Sequence, residues 1–139
     1  MRLIICLFLS LATTYFSSSA QSKKVSFNTS AVVPGAEGTV KVKKDKNGNY
    51  DISVDIENLA QSKKLTPPKN AYVVWLETHE KGVKNIGQIQ SSSSMFSKTK
   101  KASISTVSAY KPVRIFITAE DDPGVEQPGE VVVLTTNSF

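Results

Sequence analysis

The sequence predicts an all-β protein, an antiparallel β-sandwich of immunoglobulin-like type with about seven to eight strands. Three observations carry that expectation. From residue 21 onward, apolar and polar side chains alternate with the period of a half-buried strand. The alternating runs are short and are separated by turns rich in Pro, Gly and Asn. No run repeats at helical spacing for long enough to make an amphipathic helix.

Residues 1–20, MRLIICLFLSLATTYFSSSA, stand apart from this pattern. Arg2 supplies a short positive region, and Leu3 to Leu11 form an apolar run too short to span a bilayer. Ser18, Ser19 and Ala20 then offer a small-residue cleavage site. The expectation is a signal peptide over 1–20, cleaved near Ala20, and a single β-sandwich domain over 21–139 that is secreted or periplasmic. The sole cysteine, Cys6, lies inside that segment. Lipidation there would leave only Leu3, Ile4 and Ile5 as an apolar region, so no lipid anchor is expected. The mature chain then has no cysteine, and its stability must come from an apolar core. No second long apolar run follows, so no transmembrane helix is expected in it.

The strands follow in order. Thr39 to Lys43 alternates, as does Tyr50 to Glu57, and Asp45-Lys46-Asn47-Gly48-Asn49 between them reads as a hairpin turn. In the second run Tyr50, Ile52, Val54 and Ile56 must share one face, with Asp51, Ser53, Asp55 and Glu57 on the other. Gln61 to Asn70, centred on Pro67-Pro68, reads as a link crossing between two sheets, because proline cannot join a central ladder. Ala71 to Thr78 is the most apolar run and predicts a central strand with Trp75 buried. Glu80-Lys81-Gly82 turns the chain into Lys84 to Ile89. Ser91 to Ser94 reads as a loop before Met95-Phe96. Ala102 to Val107 and Val113 to Ala119 are further strands, Asp121 to Gly129 is a turn-rich acidic loop, and Glu130 to Thr136 closes the chain.

Charge narrows the function classes. The net charge of +5 becomes +4 without Arg2, the only charged residue of 1–20. Much of the excess sits in the pairs Lys23-Lys24, Lys43-Lys44, Lys63-Lys64 and Lys100-Lys101. No aromatic residues interleave them to form a base-stacking platform, so no nucleic-acid partner is expected. Their plainer role is as solvated strand ends and edge lysines that deter aggregation.

Candidate chemistry is sparse. His79 is the only histidine, and no G-x-S-x-G elbow accompanies it, so it reads as an exposed turn residue. Zinc needs about three protein ligands, and the mature chain offers one His and no Cys. The acidic cluster Glu120, Asp121, Asp122 and Glu126 offers hard oxygens suited to calcium, although its spacing departs from the EF-hand loop. Asp122-Pro123-Gly124 also reads simply as turn chemistry. Paired carboxylates could serve a glycosidase, but a sugar groove lined by several aromatics is not in view. Trp75 could stack on a sugar, yet its flanks Val74 and Leu76 favour a core position. Asn28-Thr29-Ser30 fits the N-glycosylation acceptor pattern.

Two parts of the chain resemble a known family. One is Tyr72-Val73-Val74-Trp75-Leu76 followed by Asn85-Ile86-Gly87-Gln88-Ile89. The other is Phe116-Ile117-Thr118-Ala119-Glu120 with Pro128-Gly129-Glu130-Val131-Val132-Val133-Leu134. Over residues 71–136 these are similar to the extracytoplasmic C-terminal domain of RskA-type anti-sigma factors, with weaker support from 39–58. The resemblance implies a β-sandwich and no catalytic residues. The family's sigma-binding segment and transmembrane helix have no counterpart here, so sigma-factor binding does not carry over. At most it implies a stand-alone secreted relative of a sensory or interaction domain.

Three readings follow, in order. The first is a non-enzymatic interaction or sensory module with an extracytoplasmic protein or glycan partner and no cofactor. The second is a calcium-assisted carbohydrate-binding module resting on the acidic loop and Trp75. The third is a small hydrolase resting on the same carboxylates and His79.

Overall fold

The computed structural model describes residues 21–91 and 100–139. The expected signal peptide with Cys6, and the expected loop into Met95-Phe96 beyond Ser91, lie outside the described residues. In chain order the strands are β1 (Ser22–Ser26), β2 (Glu37–Lys44), β3 (Tyr50–Glu57), β4 (Ala71–Thr78), β5 (Gly82–Ile89), β6 (Lys101–Ser108), β7 (Pro112–Glu120) and β8 (Val132–Thr135). They form two four-stranded sheets, β1-β2-β3-β6 and β5-β4-β7-β8. Every pairing is antiparallel. The chain makes the β2–β3 hairpin, crosses to make the β4–β5 hairpin, crosses back for β6, and crosses again into β7 and β8. That is the wiring of an immunoglobulin-like sandwich with one added edge strand, β1. Among the described residues no helix is long and apolar enough to cross a membrane.

Period-two patterning builds the core. Val40 and Val42 on β2, Ile52, Val54 and Ile56 on β3, and Ala102 on β6 are buried on the inner face of the first sheet. Tyr72, Val74, Leu76, Ile115, Ile117 and Leu134 meet them from the second. The 61–70 link does cross between sheets, through a single 3-10 turn at Ser62–Lys64. The hairpin turn is as expected. Gly48 takes φ +82°, and Asp45 Oδ1 accepts the Asn47 and Asn49 amides at 2.8 and 2.9 Å.

The sequence did not announce β1. Ser22-Lys23-Lys24-Val25-Ser26 has little apolar content, because an edge strand needs only backbone pairing with β2 and gains protection from its lysines. Beyond it the chain swaps sheets: Phe27 bridges to Thr136, and the Asn28 amide donates to the Thr135 carbonyl at 2.9 Å. On β5 a bulge opposite Val74 and Trp75 sets Asn85 beside Trp75 while Ile86 still packs on the core. Gly87 allows it. Its φ is +131°, and a Cβ there would lie 2.7 Å from Ile104 Cδ1.

Tyr72 ties the crossing link to the core. Its ring is buried, and its hydroxyl donates to the Ala60 carbonyl at 2.7 Å. Burial pushes its pKa up from 10.0 to about 12. A raised pKa means that the fold favours the neutral phenol. Its contribution is therefore complete below the unfolded value near pH 10 and is lost as pH rises through about 12. Tyr72→Phe should cost about 1 kcal/mol at neutral pH through the orphaned carbonyl. Urea unfolding across this alkaline window should show wild type losing stability faster than the Phe variant. Parallel losses would count against a buried phenol.

Candidate functional site

Trp75 is completely buried, but not between the sheets. On β4 its neighbours Val74 and Leu76 face the main core, so strand alternation turns Trp75 to the outer side of the second sheet. There it forms a small second cluster with Val73 and Phe116, flanked by Val83 and Val125. The Trp75 and Phe116 rings stack at 6.3 Å between centroids. Arg114 lies 5.4 Å over Phe116, and its Nε donates to Glu77 Oε2 at 2.6 Å. The acidic loop after β7 folds back to cover this cluster. Asn85 Nδ2 donates to the carbonyls of Pro123 and Val125, both at 2.9 Å.

The carboxylates predicted as calcium ligands are spread around that loop. The Trp75 indole N–H can only donate, and it donates to Thr118 Oγ1 at 2.7 Å. The Thr118 hydroxyl then passes its single hydrogen to Glu120 Oε1 at 2.5 Å. The Gly129 amide donates to the same oxygen at 2.7 Å. Glu120 is itself buried and ties both ends of the loop to the indole. Asp121 instead pairs with Lys69 at 3.0 Å. Asp122 Oδ1 accepts the Gly124 amide at 2.8 Å, the turn chemistry seen in the sequence. Glu126 is exposed. Calcium takes six to eight oxygens from converging groups. Among the described residues no three acidic, His or Cys side chains gather in that way.

His79 is exposed at the β4–β5 turn. Glu120 pairs with Ala71 at the opposite end of β4, seven residues of strand away from Thr78. At about 3.3 Å per residue that separates His79 from Glu120 by roughly 23 Å. That distance keeps His79 and Glu120 from acting on one reacting atom. Asn28 is exposed, with its Nδ2 on Asn137 Oδ1 at 3.0 Å, whereas Ser30 is buried and caps the turn by accepting the Val33 amide at 2.9 Å.

The surface that sequence reasoning missed is the outer face of the first sheet. Ser22, Lys24 and Ser26 on β1 share it with Thr39, Lys41 and Lys43, with Asp51, Ser53 and Asp55, and with Ser103, Ser105 and Val107. Lys24, Lys41 and Lys43 cluster on its β1–β2 half beside Asp51 and Asp55 of β3, and Glu37, Glu57 and Lys101 form one rim. Val107 is 61% exposed there. The alternation of β2 and β3 already placed some of these residues outward, but the lysine half becomes a patch only once β1 is seen to pair. No family model, curated protein or solved structure matches this chain, and none of these comparisons links it to anti-sigma-factor domains.

Proposed function

We propose that this chain is an extracytoplasmic, non-enzymatic interaction module whose partner is a protein. One observation carries the reading: the two outer faces are treated oppositely. The second sheet's apolar outer face is covered by the chain's own loop, anchored through Glu120 and Asn85. Among the described residues nothing covers the first sheet's outer face, which is broad and polar, with Lys24, Lys41 and Lys43 clustered beside Asp51 and Asp55. A patterned face of this kind suits a partner of complementary charge order, in which electrostatics set register and on-rate. The signal-like segment 1–20 and the RskA-type strand residues support the same reading. The carbohydrate-binding alternative is weakened, since Trp75, its stacking group, has no exposed surface.

The test is affinity capture from the native envelope or medium with the chain from Gln21 as bait, beside the variant Lys24→Glu/Lys41→Glu/Lys43→Glu. A protein partner held by wild type and lost by the triple variant, with the fold unchanged by circular dichroism, is the expected result. Equal capture by both baits, or recovery of glycan alone, would overturn the proposal.

A further inference from the structure

At the end of the sandwich where the β2–β3 hairpin faces the start of β7, the space between the sheets opens as a cavity of about 520 Å³. Its floor is apolar, formed by Val42, Tyr50 and Phe139, and Lys23, Lys44 and Lys111 surround it. The position of Lys44 explains the opening. Val42 pairs with Ile52 on the core side, and the next inward pair along the hairpin is Lys44 with Tyr50. An ammonium group stands where the core pattern calls for an apolar side chain. Lys44 Nζ lies 5.8 Å from the Tyr50 ring centroid, and Lys23 Nζ lies 5.6 Å from that of Phe139. No Asp or Glu side chain among the described residues lines the cavity. Among the described residues none of the three lysines is within 4.0 Å of a carboxylate. The volume falls in the usual range for small-molecule sites.

Three unpaired cations above an aromatic floor make a site of definite chemistry. We propose that this cleft binds a small organic anion with a flat apolar body, its carboxylate, sulfate or phosphate among Lys23, Lys44 and Lys111 and its apolar part on Val42, Tyr50 and Phe139. Lysine serves as a mobile point charge for such a head group, and the aromatic floor supplies apolar contact area. The cleft is distinct from the open sheet face, because Lys24, Lys41 and Lys43 point the other way. Either site can therefore fail its test while the other stands.

The test is an amide-resolved NMR titration of the chain from Gln21 onward, which contains both sheets, with naphthoate. Naphthylmethanol and inorganic phosphate serve as comparators. Saturable shifts at Lys23, Lys44, Tyr50 and Phe139 are expected for naphthoate, with the neutral alcohol and phosphate each binding about tenfold more weakly or less. Lys44→Gln/Lys111→Gln should weaken naphthoate by about the same factor, and exposed Lys111→Gln alone gives a smaller loss should the pair disturb the fold. The proposal is overturned by unsaturable shifts, by shifts centred elsewhere, by equal binding of either comparator, or by lysine variants that bind like wild type.

Discussion

Replacing Val54 with Asp should abolish cooperative folding at neutral pH, while the same carboxylate one residue earlier, in Ser53→Asp, should be tolerated. Val54 has no exposed surface and stands in mid-sheet between Val40 and Ile104. Its surroundings are the aliphatic groups of both sheets, with no cation to pair an ionised carboxylate. Burying that charge, or protonating it to avoid doing so, costs several kcal/mol. A domain of this size has about 5–15 kcal/mol in total. Ser53 faces outward opposite Lys41 and Ser105, where a new carboxylate keeps its water and gains a cationic neighbour. Its effect should stay within about 0.5 kcal/mol. Urea unfolding followed by circular dichroism separates the two. Matching midpoints would refute the inward register of β3.

That register was legible because a period-two pattern permits only one burial pattern once one face is wet. Tyr50 to Glu57 and Ala71 to Thr78 are strands over those residues. The neighbouring runs extend a residue or two further at each end than expected, because backbone pairing continues after side-chain alternation stops. β1 escaped notice for the same reason: its bonds are to β2 backbone, and backbone leaves no trace in side-chain polarity. The acidic loop was legible as a loop but not as a cover. Glu120, Asp121, Asp122 and Glu126 sit close in sequence, yet alternation and turn geometry aim them at Thr118, Lys69, Gly124 and solvent. Proximity along the chain suggested hard-oxygen ligands, and the spatial partners of Glu120 also make it a latch. Trp75 shows the converse. Burial was predictable from Val74 and Leu76, but strand parity should also have placed it on the opposite side from them.

The latch supplies the other large effect. Trp75→Ala should cost about 3–5 kcal/mol, the usual range for truncating a fully buried large aromatic. It should also free the 121–130 segment, since the loop then covers a hole. The sharper variant is Thr118→Val, which keeps side-chain volume and removes one oxygen. That hydroxyl accepts from the indole and donates to Glu120, so its loss leaves a buried N–H without an acceptor and a buried carboxylate with one donor fewer. Each deficit is worth about 1–3 kcal/mol. Packing alone predicts a near-neutral change, because Val fills the same space. Hydrogen exchange at the Gly129 amide is the direct readout, since that group donates to the same Glu120 oxygen. Faster exchange at Gly129 in Thr118→Val, with β3 amides unaffected, means that the relay holds the loop. Unchanged exchange and unchanged stability would mean that Val83, Phe116 and Val125 hold it by apolar contact, and that the buried carboxylate serves no fastening role.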